Sequence, residues 1–258
     1  MNSLTRRDFL KLGGAALLSS ALTPAARALS ASASPVIYHG SRRFPKIALT
    51  VDDNDLVHLV QRLENILDGF PGFHITFFPV GTVLLTNEQK DPGIWKRLLE
   101  KGHEIGYHSY NHHDLEFYST EKIVDDFDRW YDALRQVTQT ETDVRFARPP
   151  YGNGSPQFLE MCRARGLVCT MWSWGWGGTN SAETLRYIVP KTKYGDVVLM
   201  HTRTIDVETI EAALPWALSQ NLGMVTMREL YFDLQREQNQ PKGCDSTAGG
   251  SLTRTCMD

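Results

Sequence analysis

The segment from residue 46 to residue 53 reads Lys46-Ile47-Ala48-Leu49-Thr50-Val51-Asp52-Asp53, an apolar run typical of a strand that ends in two carboxylates. From Leu56 to Leu67, apolar residues then recur at helical spacing. Strand–helix pairs of this kind follow one another about seven times without an internal sequence repeat. The pattern predicts a single α/β domain, a (β/α) barrel of about seven parallel strands.

The predicted strands and helices alternate along the chain. We place strands at 46–51, 74–80, 104–107, 144–147, 167–174, 196–201 and 223–226, and helices at 56–67, 92–101, 120–137, 156–165, from 181, 208–219 and 227–236. Polar residues follow several of these strands directly, namely Asp52, Asp53, His108, His112, Arg148 and His201. Because the carboxyl ends of parallel barrel strands share one face, we expect these side chains to converge there.

Two histidines in the segment from Gly102 to Leu115 are spaced for metal binding. His108 and His112 lie four residues apart, so one helical turn would bring both imidazoles to the same face. One carboxylate from the Asp52-Asp53 pair would complete a set of two histidines and one aspartate. Such a set leaves coordination positions open, as metals that activate water require.

These residues stand in motifs that resemble those of the polysaccharide deacetylases, a metal-dependent carbohydrate esterase family that includes chitin and peptidoglycan deacetylases. The resemblance covers roughly residues 45–232. The family's T-F-D-D motif matches Thr50-Val51-Asp52-Asp53, and its H-[S/T]-x-x-H motif matches His108-Ser109-Tyr110-Asn111-His112. Its R-x-P-Y motif matches Arg148-Pro149-Pro150-Tyr151, and its late leucine–histidine motif matches Leu199-Met200-His201. The resemblance implies a distorted (β/α) barrel.

The resemblance also implies roles for these residues. Asp53, His108 and His112 would bind a divalent metal, with zinc as the first candidate and cobalt or nickel as alternatives. Asp52 would be the general base that takes a proton from metal-bound water, and Arg148 would hold Asp52 in orientation.

The remaining motif residues would act on the acyl group and the leaving group. The backbone N–H of Tyr151 would stabilise the oxyanion, His201 would protonate the leaving group, and Leu199 would line the pocket for the acetyl methyl. One motif of the family is missing, because residues 171–178 contain no carboxylate to pair with the acid histidine. Asp206 and Asp196 are the candidates to replace it.

The stretch that replaces this motif carries three alternating tryptophans. In an extended backbone, Trp172, Trp174 and Trp176 would all point to the same side. One interpretation is a stacking platform for sugar rings, with Trp174 and Trp176 as substrate-binding residues. The other interpretation is packing in the core of a wide barrel.

The termini differ in composition from the rest of the chain. Residues 1–28 combine Arg6-Arg7, a short apolar run and a small-x-small cleavage site, which resembles a bacterial twin-arginine export signal. An ordinary secretory signal is the alternative. We interpret residues 29–44 as a linker, 45–236 as the catalytic barrel and 237–258 as a polar tail. These segments predict a periplasmic or secreted protein that meets the export machinery transiently and has no permanent membrane anchor.

Charge and cysteine content narrow the function further. The 258 residues carry a net charge of -3 without a long basic run, which argues against nucleic acid or an anionic membrane as the main partner. Four cysteines allow three pairings. We favour a Cys244–Cys256 disulfide, with Cys162 and Cys169 as buried thiols.

Taken with the resemblance, these features predict a hydrolase that removes N-acetyl groups from an amino-sugar polymer or oligosaccharide. Two alternatives remain open at this point. One is an O-acetyl esterase that acts on xylan with the same site. The other is a glycan-binding relative with weak or no catalysis.

Overall fold

The computed structural model describes residues 35–239, and the structural statements below concern that part of the chain. The predicted export signal, the start of the linker, the tail beyond residue 239 and the Cys244–Cys256 pair lie outside it. Between residues 35 and 239, no helix combines the length and apolar character that crossing a membrane requires.

The strands are short and form two sheets in which every ladder is parallel. They are β1 (Val36–Ile37), β2 (Lys46–Asp53), β3 (Thr76–Pro79), β4 (Glu104–Ile105), β5 (Phe146–Ala147), β6 (Val168–Thr170), β7 (Trp174–Gly175), β8 (Val197–His201) and β9 (Gly223–Val225). One sheet has the order β1-β6-β5 and the other β4-β3-β2-β8-β7, with β9 also paired to β2. A parallel bridge between Tyr107 and Ala147 connects the two sheets. This arrangement is a distorted barrel rather than a closed one.

Helices follow most of these strands. They are α1 (Val57–Asp68), α2 (Gly81–Lys90), α3 (Ile94–Glu100), α4 (Thr120–Thr138), α5 (Pro156–Ala164), α6 (Ser181–Tyr187), α7 (Thr204–Ser219) and α8 (Met227–Gln238). Hydroxyl side chains cap three of them, because Ser119, Ser155 and Thr226 each accept a hydrogen bond from a backbone N–H in the first turn. These caps satisfy N–H groups that have no partner inside the helix.

Strand β2 is the centre of the molecule. The apolar residues from Ile47 to Val51 are buried, as expected of a parallel strand covered on both faces. Its start pairs with β9 and its end with β3, while β8 runs along its other edge. Asp52 stands in register with His201, so the polar ends of β2 and β8 meet at one edge.

The structure corrects two boundaries predicted from the sequence and adds one helix that was not predicted. The predicted linker contains part of the fold, since Val36–Ile37 forms β1 and pairs with β6. The strand predicted at 167–174 is two strands, because the chain leaves one sheet after Thr170 and joins the other at Trp174. Helix α2 was not predicted, because it carries few buried apolar residues and shows no clear helical period.

The two cysteines of the described chain are free and buried, as predicted. Cys162 lies on α5 and Cys169 on β6, both within the apolar core. Burial raises the pKa of the Cys169 thiol to about 12 and that of Cys162 further, so neither forms a thiolate readily.

Candidate metal centre and active site

The two aspartates at the end of β2 diverge because the backbone turns sharply there. Asp53 and Asn54 have φ angles of 66° and 62°, in the left-handed region. The Asn54 N–H donates to the Asp52 carbonyl over 2.8 Å and tightens the turn. As a result, the Asp52 side chain points to the buried interior, while the Asp53 side chain faces the two histidines.

The two histidines lie on a loop and not on a helical turn, which corrects the sequence prediction. Ser109 and His112 have φ angles of 62° and 56°, and the Ser109 hydroxyl accepts a hydrogen bond from the His112 N–H over 2.8 Å. His108 Nδ1 donates to the Arg148 carbonyl over 2.8 Å, since a carbonyl can only accept. This bond fixes the tautomer and leaves the His108 Nε2 lone pair free to bind a metal.

Asp53, His108 and His112 bring three ligand atoms within 4.8 Å of one another, as the sequence predicted. Asp53 Oδ1 lies 3.4 Å from His108 Nε2 and 3.2 Å from His112 Nε2, yet it is buried without a well-formed hydrogen bond. Two ligands about 2.1 Å from an ion at a tetrahedral angle are separated by about 3.4 Å. The spacing and the unsatisfied oxygen therefore fit a divalent cation between the three side chains.

The electrostatics of these groups favour an anionic carboxylate at the centre. Burial alone raises the pKa of Asp53, but the imidazoles of His108 and His112 outweigh burial and hold that pKa far below its usual value. For His108, burial lowers the pKa, but Asp52 and Asp53 outweigh it and raise the pKa. The pocket thus draws positive charge to the position between the three residues, as a cation site should.

Arg148 holds Asp52 from the opposite side. Its side chain is 0 % exposed, and its Nη1 donates to Asp52 Oδ1 over 2.7 Å and to Thr50 Oγ1 over 2.7 Å. Its Nε and Nη2 donate to the carbonyls of Thr170 and Met171. With four acceptors in place, Arg148 fixes one oxygen of Asp52 and leaves the other, Oδ2, 3.8 Å from His108 Nε2.

Two groups around Arg148 were missed from the sequence. Thr50 donates to the Val198 carbonyl over 2.8 Å while it accepts from Arg148. Phe78 packs against the guanidinium, with its ring centroid 4.4 Å from Arg148 Cζ. The contact of Thr50 could have been predicted, because residues two apart in a strand point to the same side, so Thr50 lies beside Asp52 on that face of β2.

Tyr151 lies at the rim of the metal centre. Its side chain is 66 % exposed, and its ring meets the His112 ring edge-on at 4.8 Å. Its hydroxyl donates to the His112 carbonyl over 3.3 Å. Its φ of 60° and the following Gly152, with φ 75°, turn the backbone toward the histidine loop. A side chain at Gly152 would also come within 2.9 Å of Trp172 Cη2.

His201 ends β8, and its carboxylate neighbour is Asp206. The His201 N–H donates to Asp206 Oδ2 over 3.0 Å, and His201 Nδ1 lies 4.0 Å from the same oxygen. Arg203 pairs with both oxygens of the buried Asp206 at 2.8 Å. Asp196, the other candidate, precedes β8 and lies at the opposite end of that strand. Leu199 and His201 are partly exposed while Met200 is buried, so both face the same side of β8.

The two tryptophans proposed as a sugar platform do not form one beside the metal. Trp176 is 0 % exposed, because its Nε1 donates to Thr192 Oγ1 over 2.8 Å and its ring packs edge-on against Trp216. The predicted substrate contact is therefore wrong for Trp176, and the core-packing interpretation applies to that residue. Trp174 is half-buried and lines a separate cavity at the start of β8. The backbone between the two tryptophans thus carries them to different environments.

Comparison with known proteins assigns this chain to a family. The polysaccharide deacetylase model matches residues 39–169, just over half of the chain. The chain belongs to the polysaccharide deacetylase family.

Two relatives and one solved structure illustrate the likeness. A peptidoglycan-N-acetylglucosamine deacetylase of Bacillus cereus is 27% identical over 193 residues, which cover 71% of this chain and 87% of the relative. One of Listeria monocytogenes is 30% identical over 192 residues, 72% of this chain, but the chain spans only 39% of its length. The solved structure, a mutant of a Bacillus anthracis CE4 family pseudoenzyme with restored activity, matches at a TM-score of 0.68 and 22% identity. That match covers 77% of this chain and 72% of the other, and it supports the fold.

Proposed function

We propose that this protein is a metal-dependent hydrolase that removes N-acetyl groups from an amino-sugar polymer or oligosaccharide. The proposal rests on one observation, a cation site with a general base beside it. Asp53, His108 and His112 are spaced for a cation, and Arg148 holds Asp52 next to them. The names of the peptidoglycan deacetylase relatives support an N-acetylated glycan as the substrate class.

A divalent ion held by the three ligands would supply a Lewis acid and lower the pKa of a coordinated water. The chain's own residues handle the protons and the developing charge. Asp52 Oδ2 takes the proton of the attacking water, because Oδ1 is occupied by Arg148. The Tyr151 backbone N–H stabilises the oxyanion, and such a donor is typically worth about 3 kcal/mol. His201 donates a proton to the departing nitrogen, and Leu199 contacts the acetyl methyl on the same side of β8.

The proposal makes Asp206 the carboxylate that positions His201 in place of the missing motif. Its Oδ2 accepts the backbone N–H of His201 and lies 4.0 Å from Nδ1, so its negative charge favours the tautomer with Nδ1 protonated. Because Arg203 pairs with both oxygens, Asp206 acts through hydrogen bonding and orientation more than through net charge.

Asp206→Asn is expected to lower turnover on N-acetylated sugars by about 10- to 100-fold, because a poorly oriented His201 loses part of the roughly 100- to 10,000-fold that a positioned general acid contributes. The acetyl ester of 4-nitrophenol needs no proton on its leaving group, so its hydrolysis should fall much less. The ratio of the two rates, with metal content measured in parallel, tests the role. Asp196→Asn is the matched control, since Asp196 is equally buried but lies at the other end of β8. Equal losses on both substrates in Asp206→Asn would assign Asp206 a purely structural role.

The central experiment measures acetate release from N-acetylated glycans before and after complete metal removal. We expect activity to disappear with a chelator and to return on addition of zinc, cobalt or nickel, with the metal giving the highest rate identified by the comparison. Activity that survives full metal removal would overturn the mechanism.

The same assay decides the substrate class. Rates on chitooligosaccharides and peptidoglycan are compared with the rate on acetylated xylan, and a preference for xylan would replace the N-acetyl assignment with O-acetyl esterase activity. A structural neighbour is described as a pseudoenzyme, so glycan binding without acetate release under any of these metals would identify a non-catalytic relative.

We also propose that the protein acts outside the cytoplasm. The proposal rests on Arg6-Arg7 and the short apolar run of residues 1–28, together with an acetylated glycan as partner. Replacing both arginines by lysine should retain the protein in the cytoplasm if the twin-arginine route is used. Export that persists in this variant would favour the ordinary secretory route.

A further inference from the structure

A second cavity of about 590 Å³ lies at the amino-terminal end of β8. Its lining residues are Arg42, Ser173, Trp174, Lys191, Lys193 and Asp196. Asp196 precedes β8 and His201 ends it, and a strand rises about 3.3 Å per residue, so the two ends are about 16 Å apart. The cavity is therefore separate from the metal centre.

The acidic and neutral polar groups of this cavity are already engaged. Asp196 Oδ1 accepts from Arg42 Nη1 over 2.6 Å and from Ser173 Oγ over 2.8 Å, and its Oδ2 accepts from the Lys193 N–H over 2.7 Å. Trp174 Nε1 donates to the Ile188 carbonyl over 3.3 Å. Arg42 thus neutralises the charge of Asp196, the carboxylate of the lining. Trp174 can contact a ligand only through its ring.

The groups of this cavity that remain available to bind a ligand are cationic and aromatic. Lys191 and Lys193 are exposed, and neither ammonium forms an ion pair or hydrogen bond with any residue from 35 to 239. The Arg42 side chain is 40% exposed and uses only Nη1, toward Asp196 and the Tyr194 carbonyl. This cluster of positive charge is local, because the whole chain has a net charge of -3.

We infer that this cavity binds a carboxylate-bearing sugar unit of a glycan. The half-buried face of Trp174 suits the apolar face of a pyranose ring. The ammonium groups of Lys191 and Lys193, with the free edge of Arg42, suit a carboxylate, since hydrogen bonds between charged partners are the stronger ones. Binding at this cavity requires neither the metal nor catalysis, so the inference goes beyond the proposed function.

A glycan anchored at this cavity would stay near the enzyme between reactions. Linked binding sites raise the effective concentration of the second contact. We therefore expect the cavity to affect binding of long acidic glycans and to leave short neutral substrates unaffected, because the latter cannot reach both sites.

The test is a calorimetric titration of the full chain with a short oligomer of galacturonic acid. The variant carries Lys191→Gln and Lys193→Gln, and the matched control carries Lys90→Gln and Lys96→Gln, which remove two exposed charges elsewhere. We expect the variant to bind about tenfold more weakly or worse, as the loss of charge-assisted hydrogen bonds implies, and the control to bind like the wild type. Metal-stripped protein should bind equally well, which separates this result from the outcome of the deacetylase assay.

Two further measurements define the ligand. Quenching of tryptophan fluorescence by the oligomer should shrink in Trp174→Phe, because the ring contact is part of the inference. Neutral chitooligosaccharides and inorganic phosphate should not displace the oligomer. Equal binding by the two double variants, no binding by the wild type, or displacement by phosphate at matched concentration would each overturn the inference, the last by showing a general anion site.

Discussion

Asp52→Asn is expected to reduce acetate release by about 100- to 10,000-fold, the range that a positioned general base contributes. Asparagine keeps the size of the side chain and can still accept a hydrogen bond from Arg148 Nη1, which lies 2.7 Å from Asp52 Oδ1. It cannot take a proton at neutral pH. The metal ligands Asp53, His108 and His112 are untouched, so bound metal should remain at the wild-type level. Turnover and metal content are measured on the same preparation.

His112→Ala is the matched comparison, because it removes a ligand and leaves the base. This variant is expected to lose metal and turnover together. The two variants thus separate loss of the cation from loss of the base. Wild-type turnover in Asp52→Asn would remove Asp52 from the mechanism, and full metal occupancy in His112→Ala would remove His112 from the ligand set.

The sequence predicted the elements whose apolar pattern is strong. The strand at 46–51 and the helix at 120–137 are found as β2 and α4, because a continuous apolar run and a helical period are both local properties. The division of 167–174 into β6 and β7 could not be predicted, because it depends on which sheet each strand joins. Long-range pairing decides this, and a local pattern does not record it.

The metal centre shows the same contrast between residue identity and geometry. Motif order identified Asp53, His108 and His112, and the structure brings them together. The helical turn expected for the histidines is absent, since a spacing of four also fits a loop closed by left-handed residues such as Ser109. Burial of Trp176 against Trp216, forty residues away in sequence, was likewise invisible to an alternating pattern.

Arg148→Met is expected to lower the free energy of unfolding by about 3–5 kcal/mol, the cost of breaking a buried ion pair by removing one partner. The Arg148 side chain is fully buried, and its loss leaves the Asp52 carboxylate in the interior without its cation. The carbonyls of Thr170 and Met171 also lose donors, at the point where the chain passes from β6 to β7. Urea unfolding of the metal-free protein measures the change without a contribution from bound metal.

A double-mutant cycle with Asp52→Asn isolates the ion pair from the carbonyl contacts. Once Asp52 is neutral, removal of Arg148 no longer strands a buried charge, so the double variant should be more stable than the sum of the single losses predicts. Arg148→Met removes the contacts to the two carbonyls whether residue 52 is Asp or Asn, so the cost of losing them cancels in the cycle. Strict additivity would mean that water reaches Asp52 when Arg148 is absent. It would also mean that the arginine stabilises the fold through Thr170 and Met171, and its role beside the base would then be one of orientation alone.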